Sequence, residues 1–192
     1  MKVSKRIIIA IVVSLVVFLL YQCTKQEENV EPAKSPAEIV TSAESVYDAL
    51  KGLEKADIEF EMTETSEKMF KEHPGYYDGS DSEDSVMDRM DFALAYDGVA
   101  NKLEENGDKL ILLPNVSVIS IRRSETENGM TMVELLDDDW NYYLMVSADR
   151  FENVEEGEYI GGFYTPAGKM SFVNKQGEVS EGIVGATVLL GE

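Results

Sequence analysis

The chain is short of the residues on which most site chemistry is built. Its 192 residues hold one histidine, one cysteine and one tryptophan, and 17 basic side chains stand against 37 acidic ones, for a formal net charge of −20. With Cys23 alone, no disulfide closes within the chain, so the fold must stand on its core. A structural zinc site needs several Cys or His ligands and is not expected. An acyl-transfer triad needs a base beside its nucleophile, and only His73 is on offer. His73 precedes Pro74 in a polar stretch, where a solvated loop residue is the simpler reading. The shortage of Lys and Arg has its own consequence, because nucleic-acid affinity rests on neutralising phosphates. Arg122-Arg123 is the only basic pair beyond the N-terminal head, and no nucleic-acid partner is expected. Anionic lipid headgroups are repelled in the same way, and the charge serves solubility.

What is present begins at the N-terminus. Lys2, Lys5 and Arg6 precede an apolar run from Ile7 to Tyr21, broken only by Ser14. That pattern predicts a membrane-targeting segment, with the basic end cytoplasmic and the remainder exported. A spanning helix takes about 20 apolar residues and a signal core about 7–15, so this run sits at the boundary. Two anchors follow from it, beside a third outcome in which the head is cleaved and the remainder secreted. Residues 1–23 stay as an uncleaved signal anchor, or the chain is cleaved before Cys23 and lipidated there. Leu20 suits the bacterial lipobox, which the Leu20–Cys23 stretch resembles, whereas Gln22 departs from the small residue expected before the cysteine.

Residues 24–35 are polar and acidic without apolar period and read as a flexible tether. Ser35-Pro36-Ala37-Glu38 is a helix start, and Ile39 to Leu53 repeat at helical spacing, predicting one amphipathic helix to about Lys55. Asp57–Thr65 alternates in a way that suits a strand or a continued helix. Met69 and Phe70 sit in a short helical turn ended at His73-Pro74-Gly75, and Tyr76–Asp84 reads as a loop. Val86 to Leu103 then predict a long helix from about Ser82 to Glu105, stopped at Asn106-Gly107. Beyond Gly107 the period becomes that of strands: Lys109–Arg123 with a bend at Pro114, Met130–Leu136 after the Asn128-Gly129 turn, and Trp140–Ser147 after Asp137-Asp138-Asp139. A helical or looped piece, Ala148–Glu156, leads to strands at Tyr159–Thr165 and Val179–Leu190, with a lesser one at Met170–Val173.

Five main strands with a helical connection after the third have the topology of an OB-fold, a small, partly open Greek-key barrel. Leu94–Leu190 resembles the OB-fold proteins called tRNA-anticodon-binding-like, a family that includes small exported lipoproteins. The residues that carry the resemblance are Tyr96 and Asn101 on a helix, Val118 and Ile119 at the end of the first long strand, and the stretch Phe151–Gly157 leading to Tyr159-Ile160-Gly161-Gly162. The resemblance implies a five-stranded barrel in the C-terminal half and brings no active-site motif. Members of that superfamily that bind nucleic acid use a basic, aromatic face. This chain keeps aromatics but lacks the positive charge.

Three further groups of residues are candidates for a site. Asp78, Asp81 and Asp84 lie in a loop with oxygen ligands at alternate positions, as calcium requires. The EF-hand glycine position holds Glu83, however, and the closing glutamate position holds Arg89, so a solvated, helix-capping loop competes with the metal reading. Trp140, Tyr142 and Tyr143 offer a platform for a peptide or a sugar ring if one row of them lines an open face; the alternative is that they are core. Cys23 is the candidate for lipidation. No cofactor is expected.

The whole reads as an α+β protein: a signal anchor or lipoprotein signal at 1–23, a tether at 24–35, a helical region at 36–106, and an OB-like five-stranded β-barrel at 107–192. Its expected role is non-catalytic binding of a protein or peptide partner in the cell envelope, tethered to the membrane by its N-terminal segment. The competing reading is a carbohydrate-active or cation-dependent enzyme built on carboxylates. That reading requires two carboxylates about 5–10 Å apart in a deep cleft. A shallow aromatic groove favours binding.

Overall fold

Seven strands and six short helices follow one another along the computed structural model, which describes residues 34–56, 58–78, 88–91, 96–126, 128–173 and 178–191. The expectations for 1–33, Cys23 included, and for Asp81 and Asp84 lie outside the described residues. The helices are α1 (Pro36–Thr41), α2 (Val46–Leu53), α3 (Glu64–Glu72), α4 (Gly75–Asp78), α5 (Tyr96–Ala100) and α6 (Leu103–Asn106). The strands are β1 (Glu59–Met62), β2 (Met90–Asp91), β3 (Leu110–Arg123), β4 (Thr131–Leu136), β5 (Tyr142–Ser147), β6 (Tyr159–Val173) and β7 (Val179–Gly191). They form one sheet in the order β1-β6-β7-β5-β4-β3-β2, and an additional pairing of β6 with β3 closes the middle five into a ring. The class is α+β, with the sheet dominant. No helix among the described residues is long and apolar enough to cross a membrane.

Two cores share the ring wall. Inward along β4 and β5 point Val133, Leu135, Tyr143 and Met145, joined by Ile160, Tyr164 and Ile183 from β6 and β7. Outward from the same strands point Met132, Leu144, Val146, Val184 and Ala186, and on these lie Val40 of α1, Ala49, Leu50 and Leu53 of α2, and Phe70 of α3. A strand buried on both faces has no polar alternation, which is why Met130–Leu136 and Tyr142–Val146 read as near-continuous apolar runs. Each large side chain so enclosed contributes about 1.5–3 kcal/mol of hydrophobic stabilisation.

The helical region differs from the sequence reading in two places. The helix expected from Pro36 to about Lys55 is two helices. Chain turns at Ser42–Ser45, and Ser45 caps α2 by accepting from the Asp48 N–H at 3.1 Å. Both helices lie against the same sheet face, so the apolar period carries across a break it does not reveal. The long helix expected from about Ser82 to Glu105 is also absent as such among the described residues. Met90–Asp91 is a strand running parallel to Leu110–Ile111, and only the short α5 and α6 follow it. Tertiary pairing with β3 has overridden the local period there.

The strand region follows its pattern more closely. Pro114 sits at the expected irregularity, where the β3–β6 register shifts between Leu113 and Val116. Tyr159–Thr165 and Met170–Val173 are one continuous strand, bent by register shifts at Phe163/Tyr164 and Pro166/Gly168. The connection from β5 to β6 holds turns and no helix. Its shape is kept by Arg123, whose guanidinium donates to the carbonyls of Arg150, Phe151 and Val154 at 2.5–2.7 Å.

Candidate functional site

The three aromatics singled out in the sequence part company in the structure. Trp140 is 80% exposed and holds a left-handed backbone conformation, φ 67°, in the turn between β4 and β5. Asp137 builds that turn: its Oδ1 accepts from the N–H groups of Asp139 and Asn141, and its Oδ2 from Asn141 Nδ2 and the Tyr143 hydroxyl. Tyr143 is buried in the ring, edge-on to Tyr96 and Tyr164 at 5.4 and 5.9 Å between ring centroids. Burial pushes its hydroxyl well above the ordinary tyrosine range, and Tyr164 and Asp137 add to the shift. Tyr142 faces the outer core and packs on Phe172 at 4.9 Å, with its hydroxyl also pushed up by burial. Trp140, Tyr142 and Tyr143 therefore occupy solvent, outer core and inner core, and do not form one platform.

The carboxylates divide similarly. Asp78 ends α4 at the surface. Among the described residues no group of three or more His, Cys, Asp or Glu side chains is placed to hold a metal ion.

A site that the sequence reading did not assemble lies between α3 and the entry to β3. It begins with the cap of α3. Thr63 accepts from the Ser66 N–H with its hydroxyl and donates its own N–H to the Ala167 carbonyl at 2.9 Å. The Ser66 hydroxyl donates to the Pro166 carbonyl at 2.8 Å, fixing α3 against the bend of β6. From the other side the Glu104 carboxylate of α6 accepts from the Thr65 N–H at 3.0 Å. Gly107 then passes so close that an added Cβ would lie 2.3 Å from Ser66 Oγ. Helix α3 and the segment Asp108–Lys109 are thereby held beside each other.

Between them is an open groove of about 550 Å³, lined by Thr65, Lys68, Met69, Glu72, His73, Tyr76, Arg89, Asp108 and Lys109. That volume falls within the range of about 300–1,000 Å³ common to ligand sites. Tyr76 makes two ring contacts in the groove. The His73 ring stacks on it at 5.0 Å and 23°, and the Arg89 guanidinium carbon lies over it at 4.7 Å from the centroid. Arg89 also donates to the Asp108 carbonyl, while its own carbonyl accepts from the Leu110 N–H at 3.1 Å. Lys68 Nζ stands 4.0 Å from the Glu72 carboxylate one turn along α3. His73, read from the sequence as a solvated loop residue, is exposed and closes α3, yet its ring belongs to this groove.

No periodicity announces such a site, because its members come from a helix, the turn after it, and two segments more than ten residues apart. The one signal was a coincidence of rarities: basic side chains and the sole histidine of an acidic chain converge on it. No protein-family model, curated protein or solved structure matches the chain.

Proposed function

We propose that this chain is a membrane-anchored, extracytoplasmic binding module, non-catalytic, that engages a protein or peptide partner in the cell envelope. The observation that carries the binding role is the open groove around Tyr76, on whose ring the His73 ring and the Arg89 guanidinium both pack. Cation–aromatic stacks of this sort supply contact area and orientation rather than proton transfer. The groove's carboxylates, Glu72 and Asp108, line it together with Lys68, Arg89 and Lys109. The anchor in this reading is the head, with Lys2, Lys5 and Arg6 before the Ile7–Tyr21 run and Cys23 after it.

The same reading takes the ring as an OB-like barrel related to the tRNA-anticodon-binding-like proteins. Its support is topological. Numbering the ring strands 1 to 5 along the chain (β3 to β7), the closed order is 1-2-3-5-4, with strands 3 and 5 parallel and the other neighbours antiparallel. Following paired residues around the ring from Tyr159 through Ser117, Leu136, Tyr142 and Gly182 leads to Met170, eleven residues further along the same strand. Such a stagger is what a small, strongly tilted barrel needs. A nucleic-acid role gains nothing from Arg122-Arg123. Arg122 pairs with Glu156 at 2.9 Å, and Arg123 is committed to three loop carbonyls.

The test is site-specific crosslinking of the full-length chain in membranes. A photoreactive side chain replacing Tyr76 is expected to trap one discrete envelope protein or peptide, whereas the same group at Glu125, on an exposed turn away from the groove, traps none. Equal products from both positions, or recovery of the full-length chain with its head intact in the soluble cytoplasmic fraction, would overturn the reading.

A further inference from the structure

We infer that the groove around Tyr76 receives an acidic peptide segment, whose side-chain carboxylates are held by Arg89 and Lys68. This rests on the binding-module reading above and adds the chemistry of the ligand to it. The first argument is charge. In a chain of net charge −20, Lys68, Arg89 and Lys109 line one groove together with His73. A charged ligand feels the distant acidic surface only through about 8 Å of screening at physiological salt. Inside the groove it meets Lys68, Arg89 and Lys109 against Glu72 and Asp108, a positive balance, and over the acidic remainder of the surface it meets repulsion. That contrast confines an acidic segment to this place, since specificity is gained as much by rejection elsewhere as by attraction here.

The second argument is the geometry of Arg89. A guanidinium presents five N–H donors in a planar fork suited to carboxylate. Stacking over Tyr76 and the bond to the Asp108 carbonyl fix the plane of that fork before any ligand arrives. Lys68 is different in kind. It is a mobile point charge, with its side chain 72% exposed at the groove edge. One rigid fork and one adaptable ammonium suit two carboxylates spaced along a flexible chain.

The third argument distinguishes peptide from phosphate. Glu72 and Asp108 stand among the cations. A compact phosphate concentrates two charges at one point beside them, whereas a peptide spreads single charges along its chain. A peptide alternates carboxylates with backbone N–H donors, so those two acidic groups become acceptors, while Met69 and Tyr76 give its apolar atoms a surface.

The probe is a fluorescein-labelled hexaglutamate peptide, followed by fluorescence anisotropy on the full-length chain in detergent micelles. Hexalysine and inorganic phosphate serve as comparison arms. Saturable binding of hexaglutamate is expected, at least tenfold weakened in Arg89→Gln and in Lys68→Glu, and unchanged in Lys169→Gln, whose target pairs with Glu181 elsewhere on the sheet. Lys68→Glu alters only an exposed helical side chain, so its result stands even if Arg89→Gln folds poorly. Three results would each sink the proposal: hexalysine binding as tightly as hexaglutamate, phosphate displacing the labelled peptide at equal concentration, or Lys68→Glu binding like the parent. If crosslinking at Tyr76 traps a partner while hexaglutamate does not bind, the acidic ligand falls and the binding module remains. If neither occurs, both fall.

Discussion

Thr131 opens β4 with its side chain wholly buried, and its Oγ1 is the one buried side-chain oxygen or nitrogen among the described residues without a hydrogen-bond partner. A desolvated hydroxyl with no acceptor costs free energy that a methyl of the same shape does not. Thr131→Val is therefore expected to raise the unfolding free energy by about 1 kcal/mol, read from the urea midpoint at unchanged slope. A lower midpoint would mean that the hydroxyl is satisfied in solution by a buried water. Arg123 is the opposite case. In the sequence it stands in the only basic pair beyond the N-terminal head, and three carbonyls of the loop Arg150–Val154 take up its donors. Nothing in the local pattern separates Arg122, which reaches solvent and Glu156, from Arg123, because the loop that uses it lies almost thirty residues on. The aromatic trio misleads for a related reason. Alternation put Trp140 and Tyr142 on one side, but alternation ends where Asp137 closes the turn and turns Trp140 into the left-handed region.

At the scale of elements, β1 shows how closely the outer layer is fitted. It pairs with β6 over Glu59–Met62, opposite Ser171 to Gly168, and at Gly168 an added Cβ would come within 2.3 Å of the Glu61 carbonyl oxygen. The other edge of β1 is closed by Glu54, whose carboxylate accepts from the Met62 N–H at 3.1 Å, so the strand offers little to a passing chain. Backbone cannot yield at Gly168 as a flexible side-chain end would. Gly168→Ala is expected to part β1 from β6 and destabilise the protein by about 1–3 kcal/mol, the range for overpacking. Hydrogen exchange would show the loss as early deuteration of Glu61 and Thr63, whose N–H groups face β6, ahead of β4 and β5; unchanged protection there would refute it. The strands of the ring were legible in the sequence because Val, Ile, Tyr and Thr runs are bounded by Asn128-Gly129, Asp137–Asp139 and Gly157. The helices were legible only as an apolar face. Where that face breaks, at Ser42–Ser45, or is claimed by a strand, at Met90–Asp91, the reason is a surface more than twenty residues away in the chain or a pairing to β3. The groove inherits the same opacity, since α3, Arg89 and Lys109 meet only after β2 has docked.

For the molecule as a whole, the prominent electrostatic fact on the two sides of the wall is a set of tyrosines kept neutral. The hydroxyls of Tyr77, Tyr143 and Tyr164, all on buried residues, are pushed above their ordinary value of 10.0, with burial the leading cause in each. Tyr77 donates to Thr165 Oγ1 at 3.0 Å and Tyr143 to Asp137, so in both the proton is part of the packing. The sign of the pH dependence follows directly. Above pH 10 the unfolded chain loses these protons while the folded chain keeps them, so the folded state binds more protons and stability falls as pH rises. Below pH 10 the contribution is complete and flat. The decline amounts to at most about 1.4 kcal/mol per pH unit for each such tyrosine. Lys51 and Lys71 act in the same direction, their ammonium groups held above the usual range by hydrogen bonds to Glu54 and Glu67, though both are surface groups and add little. Urea midpoints measured from pH 8 to 11.5 are expected to hold level to about pH 10 and then drop, with the share of tyrosinate absorbance that belongs to the buried hydroxyls appearing only as the protein unfolds. Tyr164→Phe isolates the effect, because it removes one buried hydroxyl and leaves the lysines untouched. Its midpoint should fall less steeply above pH 10 than that of the parent, and two parallel curves would show that the buried tyrosines do not govern the alkaline limit.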